Sequence, residues 1–289
     1  MRLQERAIAP EVSLVIPLVD EAESLPVLAG EIRAALATTG KTYEVIYVDD
    51  GSTDESPSVL RALAREDPRV RVIRQRRHSG QSAALAAGFS LVRGAVVVTL
   101  DADLQNDPAD IPRLLEQLGE HDVVCGVRTR RQDSWLRKAS SRIANGVRNR
   151  VTGESIVDVG CSLRACRSEF LRGVPAWSGM HRFLPTLLRM AGARVTEVSV
   201  SHRPRLHGRP KYTIRNRIWR ALVDLVGVRW MQSRWIDPEL SEEIDVWTPN
   251  TCGSRSDFSA RRSSSAASSS SGSLPSARKR ASSHAPSGS

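Results

Sequence analysis

The sequence predicts an α/β fold built on a mainly parallel sheet, and three observations carry that prediction. Short runs rich in Val and Ile alternate with longer segments of helical period from Val12 to about Trp235. Several runs, such as AVVVTL at 95–100, are apolar without alternation, as strands covered by helices on both faces must be. Acidic residues cluster directly after two of the runs, and open parallel sheets bind their ligands at the carboxyl ends of strands.

The elements follow in order. A strand near Val12–Ile16 leads to a helix from about Glu23. The second strand, Tyr43–Val48, ends in VDDGSTDES, where Gly51, Ser52 and Thr53 let the chain turn sharply into a helix from Ser56. A third strand, Val70–Arg74, precedes a helix from about Gly80. The fourth, Ala95–Leu100, ends in TLDADLQNDP, and Pro108 opens the next helix. The fifth is Val123–Val127. No internal repeat is present. From Thr251 onward roughly two-fifths of the residues are Ser and large apolar side chains almost vanish, a composition that cannot build a core. One folded domain over residues 1–240 and a basic, disordered tail over 241–289 are therefore expected.

Charge narrows the partners. The chain of 289 residues carries a formal +10, and its tail holds six Arg and Lys against Asp257, so the folded part is itself basic. That surface suits an anion, whether nucleic acid, an anionic membrane face or a phosphorylated substrate. Cys125, Cys161, Cys166 and Cys252 form no CxxC pair, and no His stands at zinc-ligand spacing, which points to reduced thiols in cytoplasm. The opening MRLQERAIAPE lacks the apolar core of a signal peptide, and no uncharged run approaches the ~20 residues of a spanning helix. A cytoplasmic protein that does not cross a membrane is expected.

Chemistry concentrates in the two acidic clusters. In an extended segment the side chains at i and i+2 point the same way, so Asp101 and Asp103 can present two carboxylates to one ligand. Hard divalent ions such as magnesium or manganese take one or two carboxylates plus substrate phosphates, which suits a nucleotide diphosphate. The plainer alternative is an acidic turn capping the next helix. Asp50 is placed to accept hydrogen bonds from a base or ribose, while DDGS followed by Asp54 reads equally well as a turn and helix cap. The two clusters together favour the nucleotide. No Walker-type GxxxxGK exists, and no GxGxxG follows the first strand.

From SLVIPLVDEAESL through VDDGSTDES, HSGQSAALAAGF, TLDADLQNDPADIPRL and RQDSWLRKASS to DVGCSLRACR and RPRLHGRPKY, the chain resembles the polyprenyl-phosphate branch of the family 2 glycosyltransferases. The resemblance covers nearly all of residues 12–225. It implies a GT-A fold and a UDP- or GDP-linked sugar as donor. It further implies dolichyl or undecaprenyl phosphate as acceptor, and Mg2+ or Mn2+ at Asp101 and Asp103, with Gln105 as a further ligand. Pro17, Glu21 and Asp50 would hold the nucleotide. Arg128, Arg137, Ser141 and Arg205 match phosphate-handling positions, and Lys211 matches the lysine of the family's GxSKY segment. The chain departs from the pattern at Val19 and Asp20, where an aromatic or similar residue and Asn are usual, and at Pro210, where Ser is usual.

A phosphate monoester has its second pKa near ~6, so at neutral pH it is already a dianion and a ready nucleophile. Such an acceptor needs no general base. What it needs is cationic positioning, because two anionic substrates must meet before in-line attack, and Arg supplies that through bidentate geometry. An alcohol acceptor on a polysaccharide, glycolipid or protein would instead require a base, and Asp158 is the candidate. A non-enzymatic nucleotide- or nucleic-acid-binding protein on the same fold is the third reading, although no nucleic-acid partner is expected.

Helical spacing over about 213–235 aligns Ile214, Ile218, Trp219, Leu222, Val226 and Trp230, with Arg215, Arg217, Arg220, Arg229 and Arg234 interspersed. Two readings stand: an in-plane amphipathic helix giving peripheral contact with the inner membrane face, or a helix packed on the core. His78 and His181 are notable loop histidines to which no role is assigned.

Overall fold

The computed structural model describes residues 9–129, 145–204 and 214–236. Seven strands form one sheet: β1 (Val12–Leu18), β2 (Tyr43–Asp49), β3 (Val70–Arg74), β4 (Val96–Thr99), β5 (Val123–Arg128), β6 (Arg164–Arg167) and β7 (Val195–Val200). Their spatial order is β3-β2-β1-β4-β6-β5-β7. Pairing is parallel throughout except at β6, which runs antiparallel to both β4 and β5. The helices are α1 (Leu25–Ala37), α2 (Ser56–Glu66), α3 (Gln81–Phe89), α4 (Ile111–Gln117), α5 (145–152), α6 (Leu184–Met190) and α7 (Ile214–Ser233).

The α/β expectation holds, and the five expected strands lie within two residues of where they were read. Every residue of β1 and β2 is buried, which is why their sequences run apolar without alternation. Successive side chains still choose opposite faces. Leu14 and Ile16 join Leu28, Ile32, Leu60 and Leu114 on the layer of α1, α2 and α4. Val15 joins Ile46, Val97, Leu85, Leu187 and Val228 on the layer of α3, α6 and α7. The helix read from Pro108 begins instead with a 3-10 turn, Pro108–Asp110, capped by the Asp107 side chain at the Ala109 N–H, and α4 proper starts at Ile111.

Two features position the site. Gly88 in α3 lies so close to β1 that an added Cβ would overlap the Val15 side chain, so the helix seats deeply and its first turn arrives beside the strand ends. Antiparallel β6 inserts between β4 and β5, so the loop of 158–162 that precedes it opens at the same end of the sheet as the residues after β4.

Cys125, Cys161 and Cys166 are buried free thiols; burial pushes Cys125 and Cys166 up to about 12 and Cys161 to about 11, so they stay protonated at neutral pH. Cys252 and the expected tail lie outside the described residues, as does the first part of the 213–235 segment's surroundings at 205–213. In α7, Leu225 and Val228 face inward, whereas Leu222, Val226 and Trp230, three of the six residues read from the spacing, are exposed; the side chains of Ile214, Ile218 and Trp219 lie outside the described residues. The helix thus packs on the core, but through Leu225 and Val228 rather than through Leu222, Val226 and Trp230. Among the described residues no helix is long and apolar enough to cross a membrane.

Asp122 fastens the start of β5 to its neighbours. It receives Nε and Nη2 of Arg194 at 2.9 and 3.2 Å, with Arg167 Nε at 3.3 Å. The Arg194 hydrogen bonds hold its carboxyl down at about 2. A depressed folded-state pKa means stability fully present above the unfolded value near ~4 and lost as pH falls through about 2. Urea unfolding as a function of pH will show Asp122→Asn less stable than the parent by about 1 kcal/mol at pH 6, with the gap closing between about pH 4 and 2.

Candidate active site

The residues after β2 and β4 converge on the first turn of α3. Asp50 is buried and accepts the backbone N–H groups of Ser79 and Gly80 at 2.7 and 2.8 Å, while His78 Nδ1 lies 2.8 Å from its Oδ2. It thereby pins the turn entering α3, where Gly80 sits at φ 91, a region that glycine adopts without penalty. Asp49 caps the adjoining turn at the Ser52 N–H and pairs with Arg74. Gln81, the first residue of α3, donates Nε2–H to Asp101 Oδ1 at 2.8 Å.

Beyond Asp101 the chain makes a buried turn. Asp103 is only 8% exposed and accepts the Gln105 N–H at 3.2 Å; Leu104 between them has φ 61. A left-handed leucine costs roughly 1–2 kcal/mol, offset by the roughly 1.5–3 kcal/mol of burying its side chain. The other non-glycine residue in this region is Asp20, after β1, at φ 51. Asp and Asn tolerate that conformation, which accounts for Asp standing where Asn is usual. Its carboxylate accepts the Thr53 N–H at 2.8 Å and its N–H donates to Ser52, tying the ends of β1 and β2 together. Glu21 follows, half-buried, with its N–H on Ser56 Oγ and its carboxylate near Ser24 Oγ.

A cavity of about 720 Å3 opens at these strand ends, walled by Pro17, Gln81, Asp101, Gly160, Arg164 and His181 among others. Beside Gly160, Arg128 at the end of β5 makes a bidentate pair with Asp158: Nε to Oδ2 at 2.7 Å and Nη2 to Oδ1 at 2.8 Å. Gly160 leaves room for it, since an added Cβ would stand 2.7 Å from Arg128 Nη2. Both oxygens of Asp158 thus receive the guanidinium, a fork geometry that fixes Arg128 in plane. Arg164 is buried at 6% exposure and donates Nη1 to the carbonyl of His181 and Nη2 to that of Val159.

The structure therefore gathers Pro17, Asp50, Asp101, Asp103, Gln105, Arg128 and Asp158 at one end of the sheet, with Glu21 beside them. Arg137, Ser141, Arg205 and Lys211 lie outside the described residues. The segment leading to the latter two is tethered to the acidic turn: Arg203 donates its N–H to the Gln105 carbonyl, pairs with Glu31 and Asp107, and Asn106 bridges His202. Sequence reasoning missed Gln81, Ser82, Gly160 and Arg164, whose only signal was a position inside HSGQSAALAAGF or DVGCSLRACR.

The family model for glycosyl transferase family 2 matches residues 13–174. The chain belongs to that family. It is 44% identical over 203 residues to an undecaprenyl-phosphate 4-deoxy-4-formamido-L-arabinose transferase of Edwardsiella ictaluri, covering 70% of this chain and 62% of that one. The Yersinia pestis protein of the same name is 42% identical over 218 residues, covering 75% and 66%. The chain thus spans about two-thirds or less of the length of these relatives.

Among solved structures, glucosyl-3-phosphoglycerate synthase from Mycobacterium tuberculosis, crystallised with Mn2+, UDP-glucose and phosphoglyceric acid, superposes with a TM-score of 0.57 at 18% identity. The match covers 79% of this chain and 82% of that one. A Pyrobaculum calidifontis mannosyltransferase in complex with GDP-mannose and Mn2+ gives 0.52 at 19%, covering 79% and 65%. These likenesses establish the fold, the GT-A arrangement that the sequence predicts.

Gly160→Ala will push Arg128 off Asp158 while leaving the core intact, because the atom it meets is the end of a flexible side chain. In the transferase assay described below, turnover will fall about tenfold or more while Tm moves by no more than about 2 °C in calorimetry.

Proposed function

We propose that the chain is a metal-dependent, inverting glycosyltransferase that moves a sugar from a UDP- or GDP-linked donor to a polyprenyl phosphate. The observation that carries this reading is one cavity lined by Asp101 and by Gly160, the residue against which the Arg128–Asp158 pair lies. Relatives at 42–44% identity bear the name of undecaprenyl-phosphate sugar transferases, which supports the acceptor class.

The donor set at the acidic turn fits a hard divalent cation. Asp101, Asp103 and Gln105 offer oxygen ligands, and among the described residues no three His, Cys, Asp or Glu converge as a self-sufficient metal cage would require. The remaining positions would fall to substrate phosphates, the pattern of Mg2+ and Mn2+ rather than zinc. A cation held there would neutralise the charge that develops on the departing nucleoside diphosphate.

The protein's own groups supply the rest. Pro17, Glu21 and Asp50 shape the nucleotide end, Asp50 by fixing the turn into α3. Arg128, oriented by Asp158, cancels repulsion between the two anionic substrates so that the phosphate dianion can attack in line. Arg137, Ser141, Arg205 and Lys211 complete the phosphate-handling side of this assignment, Ser141 as a neutral hydroxyl and the others as cations. Because both Asp158 oxygens are engaged with Arg128, its geometry favours positioning over proton abstraction, and with it a phosphate acceptor over a hydroxyl. Residues 1–240 are assigned as the transferase domain and 241–289 as a tail. The exposed Leu222, Val226 and Trp230 beside Arg229 and Arg234 support a peripheral seat on the cytoplasmic face of a membrane, where a lipid phosphate is presented.

The test is a transfer assay with Mn2+ or Mg2+, a panel of UDP- and GDP-sugars and a polyprenyl phosphate, read by mass spectrometry of the organic extract. A metal-dependent lipid-phosphate-sugar product is expected, reduced at least about hundredfold in Asp101→Asn and Asp103→Asn. Asp158→Asn should retain activity within about tenfold to a hundredfold of the parent. Complete loss in that variant, with its fold intact and a hydroxyl compound accepted in place of the lipid phosphate, would instead establish Asp158 as a general base.

A further inference from the structure

Ser82 and His181 form a hydrogen-bonded pair in the cavity wall that the transferase reading leaves without a task. Ser82 stands in the first turn of α3, and His181 lies in the 3-10 turn Met180–Arg182, 99 residues further on. Ser82 Oγ lies 2.8 Å from His181 Nδ1. It also accepts the N–H of Gly179 at 3.0 Å and that of His181 itself at 3.5 Å. With its lone pairs engaged by these donors, the serine directs its hydroxyl hydrogen to Nδ1. The network thereby assigns the neutral tautomer of His181, with the proton on Nε2.

The backbone of the same residue is fixed separately, since its carbonyl accepts Arg164 Nη1 at 2.9 Å. Gly179 completes the arrangement at φ 112, a conformation reserved for glycine, and an added Cβ there would also strike Asp224 of α7. Ring, carbonyl and preceding turn of His181 are each tied to a different partner. The residue before Ser82 is Gln81, which holds Asp101. Two consecutive side chains at the start of α3 thus set two polar groups of one cavity, the carboxylate of the acidic turn and this imidazole.

The surroundings indicate what the imidazole meets. Gly160, Ser162, Ser178 and Gly179 share the wall with it, small and hydroxyl-bearing residues that suit a polyhydroxylated ring better than a stacked base. A neutral N–H donor likewise suits a sugar oxygen, whereas a phosphate calls for a cation.

We propose that His181 is a specificity-determining residue that donates its Nε2–H to an oxygen of the transferred sugar, with Ser82 as the positioning residue that fixes its tautomer. The inference rests on the transferase reading and names the contact made with its sugar.

The experiment is calorimetric titration of the full chain, with Mn2+ present, using the free nucleoside diphosphate and its sugar conjugate, together with steady-state kinetics. His181→Phe keeps a planar ring without a donor; His181→Gln restores an N–H near the Nε2 position. The phenylalanine variant should weaken sugar-nucleotide binding and lower kcat/KM about tenfold, with affinity for the free diphosphate unchanged, and the glutamine variant should recover most of the loss. For Ser82, 15N shifts of the His181 ring should report Nε2–H in the parent and mixed tautomers in Ser82→Ala, a change that a purely structural serine would not produce. Equal weakening of diphosphate and conjugate in His181→Phe, or no effect on either, would overturn the inference while leaving the transferase reading in place. If the parent binds no nucleoside diphosphate at all, the transferase reading falls, and this contact with it.

Discussion

The close seat of α3 on β1 is the constraint on which the rest depends. Residue 88 has no side chain, so the helix lies against Val15, and its first turn is delivered to the carboxyl end of the parallel strands. Parallel sheets end there in a row of loops that must satisfy their own polar groups. Asp50 does this for the turn into α3 by accepting two backbone N–H groups, Asp20 does it between β1 and β2, and Gln81 and Ser82 reach across to the loops that follow β4 and β6. A bulkier residue at 88 would lift the helix and move every one of these contacts together. The polar end of the sheet is therefore one construction, and its shape is set by a packing distance in the apolar core.

The distribution of charge follows the same logic. Buried carboxylates on this face are each met by fixed donors: Asp50 by backbone N–H groups, Asp158 by a bidentate guanidinium. A buried charge without such partners costs several kcal/mol, and these donors offset that cost. Arg164 is different. It is buried yet spends its bonds on two carbonyls, and among the described residues it has no carboxylate partner, so its positive charge is left to act on the cavity it borders. A buried guanidinium bordering the cavity suits substrates carrying phosphates.

Much of this was legible in the sequence, for identifiable reasons. Strands buried on both faces write themselves as unbroken apolar runs, so β1, β2 and β4 fall where expected, and acidic residues just past their ends mark the site. Arg128 and Asp158 were singled out separately, but 30 residues of chain separate them, and only the antiparallel insertion of β6 brings one to the other. That strand was invisible because RACR is short and half-charged; its burial comes from lying between β4 and β5, a fact of topology rather than of local pattern. His181 was noted yet left without a role for the same reason, since its partner is Ser82, 99 residues earlier. Helical spacing in α7 gave the right period but left the inward face open: Leu225 and Val228 pack on the sheet, because the orientation of a helix is decided by the surface it meets.

That orientation matters for how the chain meets its surroundings. A helix with Leu222, Val226 and Trp230 turned outward leaves apolar area in water that no described element covers, at a cost of the order of 25 cal/mol per Å2 until something does. The same helix is joined to the cavity through Asp224, which lies 3.8 Å from Arg182 and packs against Gly179, the residue whose N–H fixes Ser82. Its inner face is thus continuous with the wall that holds His181, while its outer face carries the apolar stripe. A surface that covers that stripe would lie one helix diameter, roughly 10–12 Å, from the turn holding His181. If the acceptor is the lipid phosphate proposed above, with its phosphate in the cavity and its hydrocarbon in a bilayer, this spacing would let a single helix rest on the lipid and brace the site at the same time.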